Sequence, residues 1–416
     1  MSDHECSNGG VTMTVYEKFG VRPIINVDGP LTKYGGAIME KETVEAMNEA
    51  AKYSVPLEQL QAAASKVIAE KTHAQAGLVT SGACAALTLA TAACICGYDV
   101  ARMDRLPDTA DMPNEVIMPC RQIGKYTHAI RATGAKIIGV GIADAPDTSL
   151  TAYMTNKWHI ESMITERTAA IAYVVKAGTQ PPFEDVIGVA KKYSVPVIVD
   201  AAPEIPPVEN LYRFIDMGAD LVCISGGKGI RGPQNSGILC GRKDLIASAA
   251  VQMLEAPTEP YDKWNPPDSF ISKERFRGAP THGIGRSMKV SKESIIGLLT
   301  ALQRFTAERF EAKDIALTRS LQKMKTELER IPGITAAFVE RQYCLCSYPT
   351  LDVKVDERIT GICAAEVCSR MRAKDICLRD NYVDQGIVRV YSINMNEEIA
   401  ERVCAALTET ISSARP

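Results

Sequence analysis

The chain has 416 residues, of which 46% are hydrophobic and 23% are charged. This composition is typical of folded globular proteins and excludes intrinsic disorder for most of the chain. The 47 basic and 50 acidic side chains give a net charge of −3, so we expect no bulk attraction to nucleic acid or to an anionic membrane surface.

The thirteen cysteines are scattered along the chain. Disulfide frameworks are typical of short secreted chains, so the cysteines indicate reduced thiols in a cytoplasmic protein. The N-terminus lacks the basic and apolar regions of a signal peptide. The apolar stretch 82–97 is too short for a membrane span and predicts a buried helix. The pairs Cys94/Cys96 and Cys344/Cys346 lack metal-site spacing, so we expect no metal.

The first predicted segment is a loose arm over residues 1–20, and helical periodicity begins near Ile38. Farther on, short β-branched runs alternate with helical stretches. This order predicts a mainly parallel seven-stranded sheet, buried on both faces by helices. The predicted strands are 77–80, 115–118, 136–140, 170–175, 196–199, 220–224 and 236–240. The last two are joined too tightly for a helical crossover.

Residues 243–290 show little periodicity and contain five prolines, which predicts a long ordered connection or lid. Apolar helical stripes follow and stop at Pro332-Gly333. The C-terminal remainder mixes strand and helix patterns, typical of an α+β domain. Its predicted strands are 351–355 and 387–391, and its predicted helices are 364–373 and 397–411.

These patterns predict an α/β protein in three segments. After the arm of 1–20 comes a large α/β domain over 21–290, of which 21–45 is a candidate to pack with the smaller domain. The small α+β C-terminal domain then covers 291–416.

The strongest chemical signal lies within residues 196–240, at the ends of two predicted strands. Asp200 ends one buried strand, where a carboxylate is costly without a positive partner. Lys228 follows another strand, in a glycine-rich turn. Ligands of α/β sheets bind beyond the carboxyl ends of the strands. Pyridoxal phosphate needs both groups, because a lysine holds it as a Schiff base and an acid pairs with its ring nitrogen.

The phosphate of this cofactor also needs hydrogen-bond donors. Ser81, Gly82 and Ala83 end a predicted strand and open a helix, and a helix N-terminus binds anions. Ser225 adds a hydroxyl. Each feature alone also fits a structural role, since Lys228 suits a surface turn and Asp200 a helix cap. Their combination favours the cofactor site.

Several stretches resemble fold-type-I pyridoxal phosphate enzymes, the aspartate aminotransferase-like fold, in the group of bacterial selenocysteine synthase. Within this group, the sequence is most similar to the D-glucosaminate-6-phosphate ammonia-lyases. The most specific stretch is SGGKGIRGPQNSGILCGRKDLI. The others are 22–36, 78–87, 103–109, 114–136 and 283–302.

The resemblance implies roles for matching residues. Lys228 would be the Schiff-base lysine and Asp200 the partner of the ring nitrogen, with Ala202 packed under the ring. His128 stands where such enzymes often stack a residue on the ring, although it also suits a helix start. Arg121 would reach the cofactor or an anionic substrate.

Two further arginines are candidate substrate-binding residues by the same resemblance. Arg389 matches the late arginine that often binds the substrate carboxylate, but a structural strand arginine fits equally well. Arg286 lies in the proline-rich connection, which in such dimers often completes the site of the partner subunit.

The implied activity is a lyase reaction, the loss of water and then ammonia from a 2-amino sugar acid such as D-glucosaminate 6-phosphate. Aldol cleavage, racemisation and transamination start from the same bound cofactor and stay open as alternatives, and a non-catalytic binding module is a third reading. Fold-type-I sites usually lie at a two-fold interface, so we expect a homodimer or larger.

The sequence departs from selenocysteine synthase in two places. Only about twenty residues precede the resemblance, where the synthase has an extra tRNA-binding region, and the segment 141–148 does not match it. We therefore expect a small-molecule amino acid or amino sugar acid substrate, with no nucleic acid and no membrane partner.

Overall fold

The computed structural model describes residues 14–142, 155–176, 178–341 and 345–414. Most of the predicted arm and part of the segment 141–148 lie outside these ranges. The described chain divides into two compact units. The larger comprises Pro30–Asp314 and Glu340–Tyr348, and the smaller comprises the chain up to Gly29, Ile315–Val339 and the chain from Pro349.

Strands and helices are numbered in chain order. The strands are β1 (Ile25–Val27), β2 (Ala76–Thr80), β3 (Glu115–Pro119), β4 (Lys136–Val140), β5 (Thr168–Val174), β6 (Val197–Asp200), β7 (Leu221–Ser225), β8 (Gly237–Gly241), β9 (Ile334–Phe338), β10 (Thr350–Val355), β11 (Ile376–Leu378) and β12 (Ile387–Tyr391). The helices are α1 (Lys41–Ala50), α2 (Leu57–Thr72), α3 (Ala83–Cys96), α4 (Val100–Arg105), α5 (Thr127–Arg131), α6 (Lys157–Glu161), α7 (Phe183–Tyr193), α8 (Arg213–Met217), α9 (Lys243–Met253), α10 (Lys292–Arg304), α11 (Ala307–Leu328), α12 (Glu357–Thr360), α13 (Ala364–Ala373) and α14 (Glu397–Ser412).

The larger unit is built on a seven-stranded sheet of order β2-β8-β7-β6-β5-β3-β4. Strands β3 to β7 are parallel to one another, and β8 is antiparallel to both β7 and β2. The central strands are buried on both faces, as their β-branched sequences predict. The predicted fold class and its mainly parallel seven-stranded sheet are confirmed.

This strand order brings the polar strand ends together. Since β2, β3, β5, β6 and β7 run in one direction, their carboxyl ends meet at one edge of the sheet. The residues at these ends are Thr80, Pro119, Val174, Asp200 and Ser225. A ligand site between widely separated segments of the chain therefore follows from the topology.

Helix α9 corrects the prediction that residues 243–290 form an unpatterned connection. Its eleven residues are helical, and those from Leu245 to Met253 are all buried. A helix buried all round shows no amphipathic stripe, so periodicity could not reveal it. The predicted buried helix over 82–97 is confirmed as α3.

The smaller unit contains a three-stranded antiparallel sheet of order β12-β10-β9 and a parallel pair, β1 with β11. The predicted C-terminal strands and helices are confirmed, whereas the short strands β1, β9 and β11 were not predicted. The unit bounds depart from the predicted domain bounds, because α10 packs against α1 and α2 in the larger unit. Among the described helices, none is long and apolar enough to cross a membrane.

The outer edge of β2 is closed by side chains of α2. Gln61 is buried, its amide nitrogen donates to the Val79 carbonyl at 2.9 Å, and its amide oxygen accepts the Val79 N–H at 3.0 Å. Ser65 accepts the Gly77 N–H at 3.0 Å. The backbone groups of this edge strand are therefore satisfied inside the protein, which holds the strand that leads to Ser81.

We expect Gln61→Met to lower the free energy of unfolding by about 1–3 kcal/mol, because it leaves a buried N–H and a buried C=O unpaired. Urea unfolding measures the change. The matched control is Gln322→Met, at an exposed position of α11, which should shift stability by less than about 0.5 kcal/mol. Equal effects of the two substitutions would show that the contacts of Gln61 with β2 contribute nothing.

Candidate active site

Lys228 lies in a loop that the surrounding backbone holds tightly. The loop returns from β7 into β8, with the Gly226 N–H donating to the Ser236 carbonyl at 2.9 Å. A Cβ at Gly227 would lie 2.4 Å from Gln234 Cα, and one at Gly229 would lie 1.8 Å from the Ile205 carbonyl oxygen. Only glycine fits on either side of the lysine, so its backbone position is well defined.

Asp200 ends β6, and its Oδ1 accepts the Ala202 N–H at 3.1 Å. Burial raises the pKa of Asp200, while the Ala202 N–H and the positive charges of Lys228 and Lys176 act in the opposite direction. The net shift is upward. A further positive partner, such as a protonated ring nitrogen, would act against the effect of burial and favour the ionised form.

The predicted anion cradle lies at the N-terminus of α3. Gly82 precedes the helix with φ at 115°, a conformation that favours glycine. Gly237 of β8 packs directly on this turn, since a Cβ there would lie 2.5 Å from the Gly82 carbonyl carbon. The turn therefore presents backbone N–H groups at the positive end of a 14-residue helix, which suits a phosphate.

These groups line one cavity of about 230 Å³. Within the larger unit, the cavity brings together all seven residues that were predicted to bind the cofactor. They are Ser81, Gly82, Ala83, Asp200, Ala202, Ser225 and Lys228. An amine, a buried carboxylate and an anion-binding turn in one cavity fit pyridoxal phosphate. The role of each residue stays a prediction.

The segment that was expected to stack on the ring reaches the cavity through a different residue. Tyr126 lines the cavity, whereas His128 lies two residues later in the short helix α5, exposed and outside the lining. Tyr126 is therefore the ring of this segment that lines the cavity. The stacking role of His128 stays a prediction.

Arg121 and Arg286 also lie outside the lining of this cavity. Arg121 is exposed, in a 3-10 turn after β3. Arg286 pairs with Glu255 at 3.4 Å, and its Nε is buried with no hydrogen-bond partner among the residues that the structure describes. Their predicted substrate contacts stay predictions.

Arg389, in the smaller unit, already forms an ion pair with Asp352. Its Nε and Nη2 bind the two oxygens of Asp352 at 2.6 and 2.9 Å, and its guanidinium stacks 4.1 Å from the ring of Tyr382. It is buried, with 8% exposure. This bidentate pair uses the edge that a substrate carboxylate would need, so the contacts favour the structural alternative for this arginine.

Two residues near the site escaped the sequence analysis. Glu204 is partly buried, and burial raises its pKa to about 7, modulated by the charges of Lys176, Asp200 and Lys228. Gln122 accepts the Val174 N–H at 2.7 Å, and its Nε2 is buried without a partner within the described ranges. Neither lies in a recognisable motif, because tertiary packing creates both environments.

In the described part of the chain, no group of three or more His, Cys, Asp or Glu side chains is placed to hold a metal ion.

The fold and the cavity define a class, the fold-type-I pyridoxal phosphate enzymes. Residues 139–353, more than half of the chain, match the aminotransferase class-V family, and residues 39–206 match the DegT/DnrJ/EryC1/StrS aminotransferase family. The chain belongs to the aminotransferase class-V family, and its cofactor is pyridoxal 5′-phosphate.

Two relatives and one solved structure match nearly the full length of this chain. A 5′-C-glycyluridine monooxygenase-decarboxylase of a Streptomyces species is 32% identical over 95% of this chain and 92% of its own. The D-glucosaminate-6-phosphate ammonia lyase of Salmonella typhimurium is 28% identical over 97% of this chain and 100% of its own. A solved structure of a D-glucosaminate-6-phosphate ammonia-lyase has a TM-score of 0.77 at 26% identity, with 97% of this chain and 100% of that chain covered.

We expect Lys228→Ala to abolish covalent attachment of pyridoxal phosphate, because the cavity then lacks its amine. Borohydride reduction followed by peptide mass analysis should find the label on Lys228 in the unaltered protein and nowhere in the variant. Lys136→Ala, at an exposed position of β4, is the control and should keep the label. A labelled lysine elsewhere in the Lys228→Ala protein would refute the assignment.

Proposed function

We propose that this protein is a pyridoxal phosphate-dependent ammonia-lyase that acts on a 2-amino sugar acid such as D-glucosaminate 6-phosphate and releases a 2-keto-3-deoxy acid and ammonia. The observation that carries the proposal is the cavity that joins Lys228, Asp200 and the N-terminus of α3. Similarity to the Salmonella ammonia lyase over 97% of the chain supports the reaction class.

Different residues of the cavity would hold different parts of the cofactor. Lys228 would hold its aldehyde carbon, Asp200 its ring nitrogen, and the turn Ser81–Gly82–Ala83 its phosphate. Bound pyridoxal phosphate would supply a sink for the electron pair that the α-carbon of the substrate leaves behind. The free amine of Lys228 would be the base that accepts the α-proton.

Glu204 is our candidate for the proton donor to the departing β-hydroxyl. A hydroxyl leaves as water only if an acid protonates it, and a carboxyl with a pKa of about 7 is about half protonated at neutral pH. The turn that carries Glu204 packs against Gly229, next to Lys228, through the Ile205 carbonyl. The proposed acid and base therefore belong to adjoining segments of the chain.

The remaining expectations complete the proposal. They are a homodimer or larger assembly, a cytoplasmic location, and a small-molecule substrate without a nucleic acid or membrane partner.

The 32% identity to the monooxygenase-decarboxylase favours one second candidate. In that case the same cavity would use molecular oxygen to remove carbon dioxide from an amino acid attached to a larger group. The lyase would release ammonia without using oxygen, whereas the second candidate would consume oxygen and release carbon dioxide. A single assay of these products therefore separates them.

Purified holoprotein should show an absorption band above 400 nm that shifts when D-glucosaminate 6-phosphate is added, with ammonia released in the same cuvette and no oxygen consumed. A band that shifts without ammonia would contradict the lyase proposal and call for assays of oxygen uptake, aldehydes and inverted amino acids. A protein that binds no pyridoxal phosphate would favour the binding-module alternative.

Glu204→Gln should lower turnover of the hydroxyl-bearing substrate by about 10²- to 10⁴-fold, because an amide cannot protonate the leaving group. In the unaltered protein the acid form is the active one, so turnover should fall as pH rises through about 7. Steady-state rates across the pH range measure both effects.

The controls are a substrate and a variant. A β-chloro amino acid needs no protonation of its leaving group, so Glu204→Gln should still eliminate chloride from it. Glu209→Gln, an exposed position in the same loop, should leave the rate and the pH profile unchanged. An unaltered alkaline limb in Glu204→Gln would remove Glu204 from the role of acid.

A further inference from the structure

A second cavity of the larger unit borders the loop that follows Lys228. Its volume is about 280 Å³, and Gly229, Ile230 and Arg231 are part of its lining. Among the described residues, it shares no lining residue with the cavity that contains Lys228. Three residues of trans chain span at most about 11 Å, so Arg231 lies close to the reactive lysine.

Positive charge dominates this cavity. The Glu40 carboxylate has three cationic neighbours, with Arg304 Nε at 3.2 Å, Arg309 Nη2 at 3.4 Å and Lys313 Nζ at 3.9 Å. All four side chains line the cavity. One carboxylate cannot neutralise three cations held this close together, so their mutual repulsion remains in part.

The neighbouring carboxylates do not restore the balance. Arg304 also binds Glu42 at 2.5 Å, while Arg231 adds a fourth cation to the lining. The two carboxylates therefore leave two positive charges in excess. The Asp314 carboxylate is already bound by both terminal nitrogens of Arg341, at 2.7 and 2.8 Å.

Arg231 is fixed in an unusual conformation at the cavity wall. Its φ is 62°, in the left-handed region that residues with a side chain rarely adopt. Its Nε donates to the Ile38 carbonyl at 2.8 Å. A strained backbone that is held in place by a side-chain contact is characteristic of functional positions.

Aromatic side chains supply the apolar part of the lining. Tyr348 is 2% exposed and donates its hydroxyl to the Gly229 carbonyl at 3.2 Å. Phe310 packs edge-on against it, with ring centroids 5.5 Å apart. These rings exclude water from one side of the cavity, and charges act more strongly where water is excluded.

We propose that this cavity binds the phosphate group of a small organic molecule. Guanidinium groups bind phosphate with two parallel hydrogen bonds, and an anion relieves the repulsion among the cations. The volume is close to the range of small-molecule pockets and leaves space for carbon atoms beyond the phosphate. The phosphate has two possible sources, the distal end of the lyase substrate, which rests on the proposed function, or a separate phosphorylated effector.

The direct test is equilibrium dialysis of the holoprotein with radiolabelled inorganic phosphate. The double substitution Arg309→Gln with Lys313→Gln should weaken binding at least about tenfold, the loss expected for one charge-assisted hydrogen bond. Arg309 is 51% exposed, so the fold should tolerate its loss. Arg319→Gln, at an exposed position later in α11, is the matched control and should bind phosphate like the unaltered protein.

A reciprocal variant separates anion binding from a structural ion-pair network. Glu40→Gln removes the carboxylate that competes with an anion, so phosphate should bind more tightly by about tenfold. The proposal is overturned if phosphate fails to bind the unaltered protein. It is also overturned if the unaltered protein, the double variant, Arg319→Gln and Glu40→Gln all bind phosphate equally. This readout needs no catalysis, so a failed lyase assay would leave the binding result intact.

Kinetics then assign the source of the phosphate. If the substrate supplies it, the double variant should raise KM for D-glucosaminate 6-phosphate at least tenfold but leave KM for D-glucosaminate unchanged, and inorganic phosphate should compete with the phosphorylated substrate. If an effector supplies it, both KM values should stay unchanged while phosphate still binds with the affinities predicted above.

Discussion

A carboxylate at the end of a buried strand costs free energy as an anion unless a positive charge lies nearby, and Asp200 ends β6 in this way. Burial raises the pKa of Asp200, and the charges of Lys228 and Lys176 offset only part of the shift. The missing part is what a protonated ring nitrogen would supply. The same electrostatic deficit thus explains both the cost of Asp200 in the fold and its value in the site.

The hairpin formed by β7 and β8 connects the other two parts of the site. Its loop carries Lys228, and Gly237, at the start of β8, packs on the turn at Gly82. Glycines occupy the positions where backbone segments approach too closely for any side chain. The lysine and the anion-binding turn are therefore parts of one packed backbone arrangement, although 146 positions separate Gly82 from Lys228 in the sequence.

Much of the larger unit was predictable because its strands are short β-branched runs and its site residues stand directly after them. What escaped prediction depends on packing. Helix α9 has no exposed polar face beyond its first turn, because Ser248 and Gln252 are buried with its apolar residues. The environment of Glu204 arises from a turn folded against another loop. The partner of Arg389 is set by strand register, which places Asp352 directly opposite on β10. Hydrophobic periodicity describes one segment at a time, so it cannot show which residues of distant segments become neighbours in the fold.

One fold can support several reactions, because function depends on the residues of the site and not on the fold alone. The 32% and 28% identical relatives carry different reactions on one fold. The larger unit holds two chemically distinct cavities, one lined by Lys228 and Asp200 and one lined by cationic residues of α10 and α11. If the second cavity binds phosphate as proposed, these cationic residues would contribute to specificity.

The side chains of α2 that satisfy β2 also bear on how copies of the chain can associate. An edge strand with open backbone groups can pair with the edge of another molecule and extend one sheet through both. Here Gln61 and Ser65 occupy the N–H groups of Val79 and Gly77. Strand addition by a second molecule is therefore blocked where these side chains cover β2, so an assembly of copies would not extend the sheet across this edge.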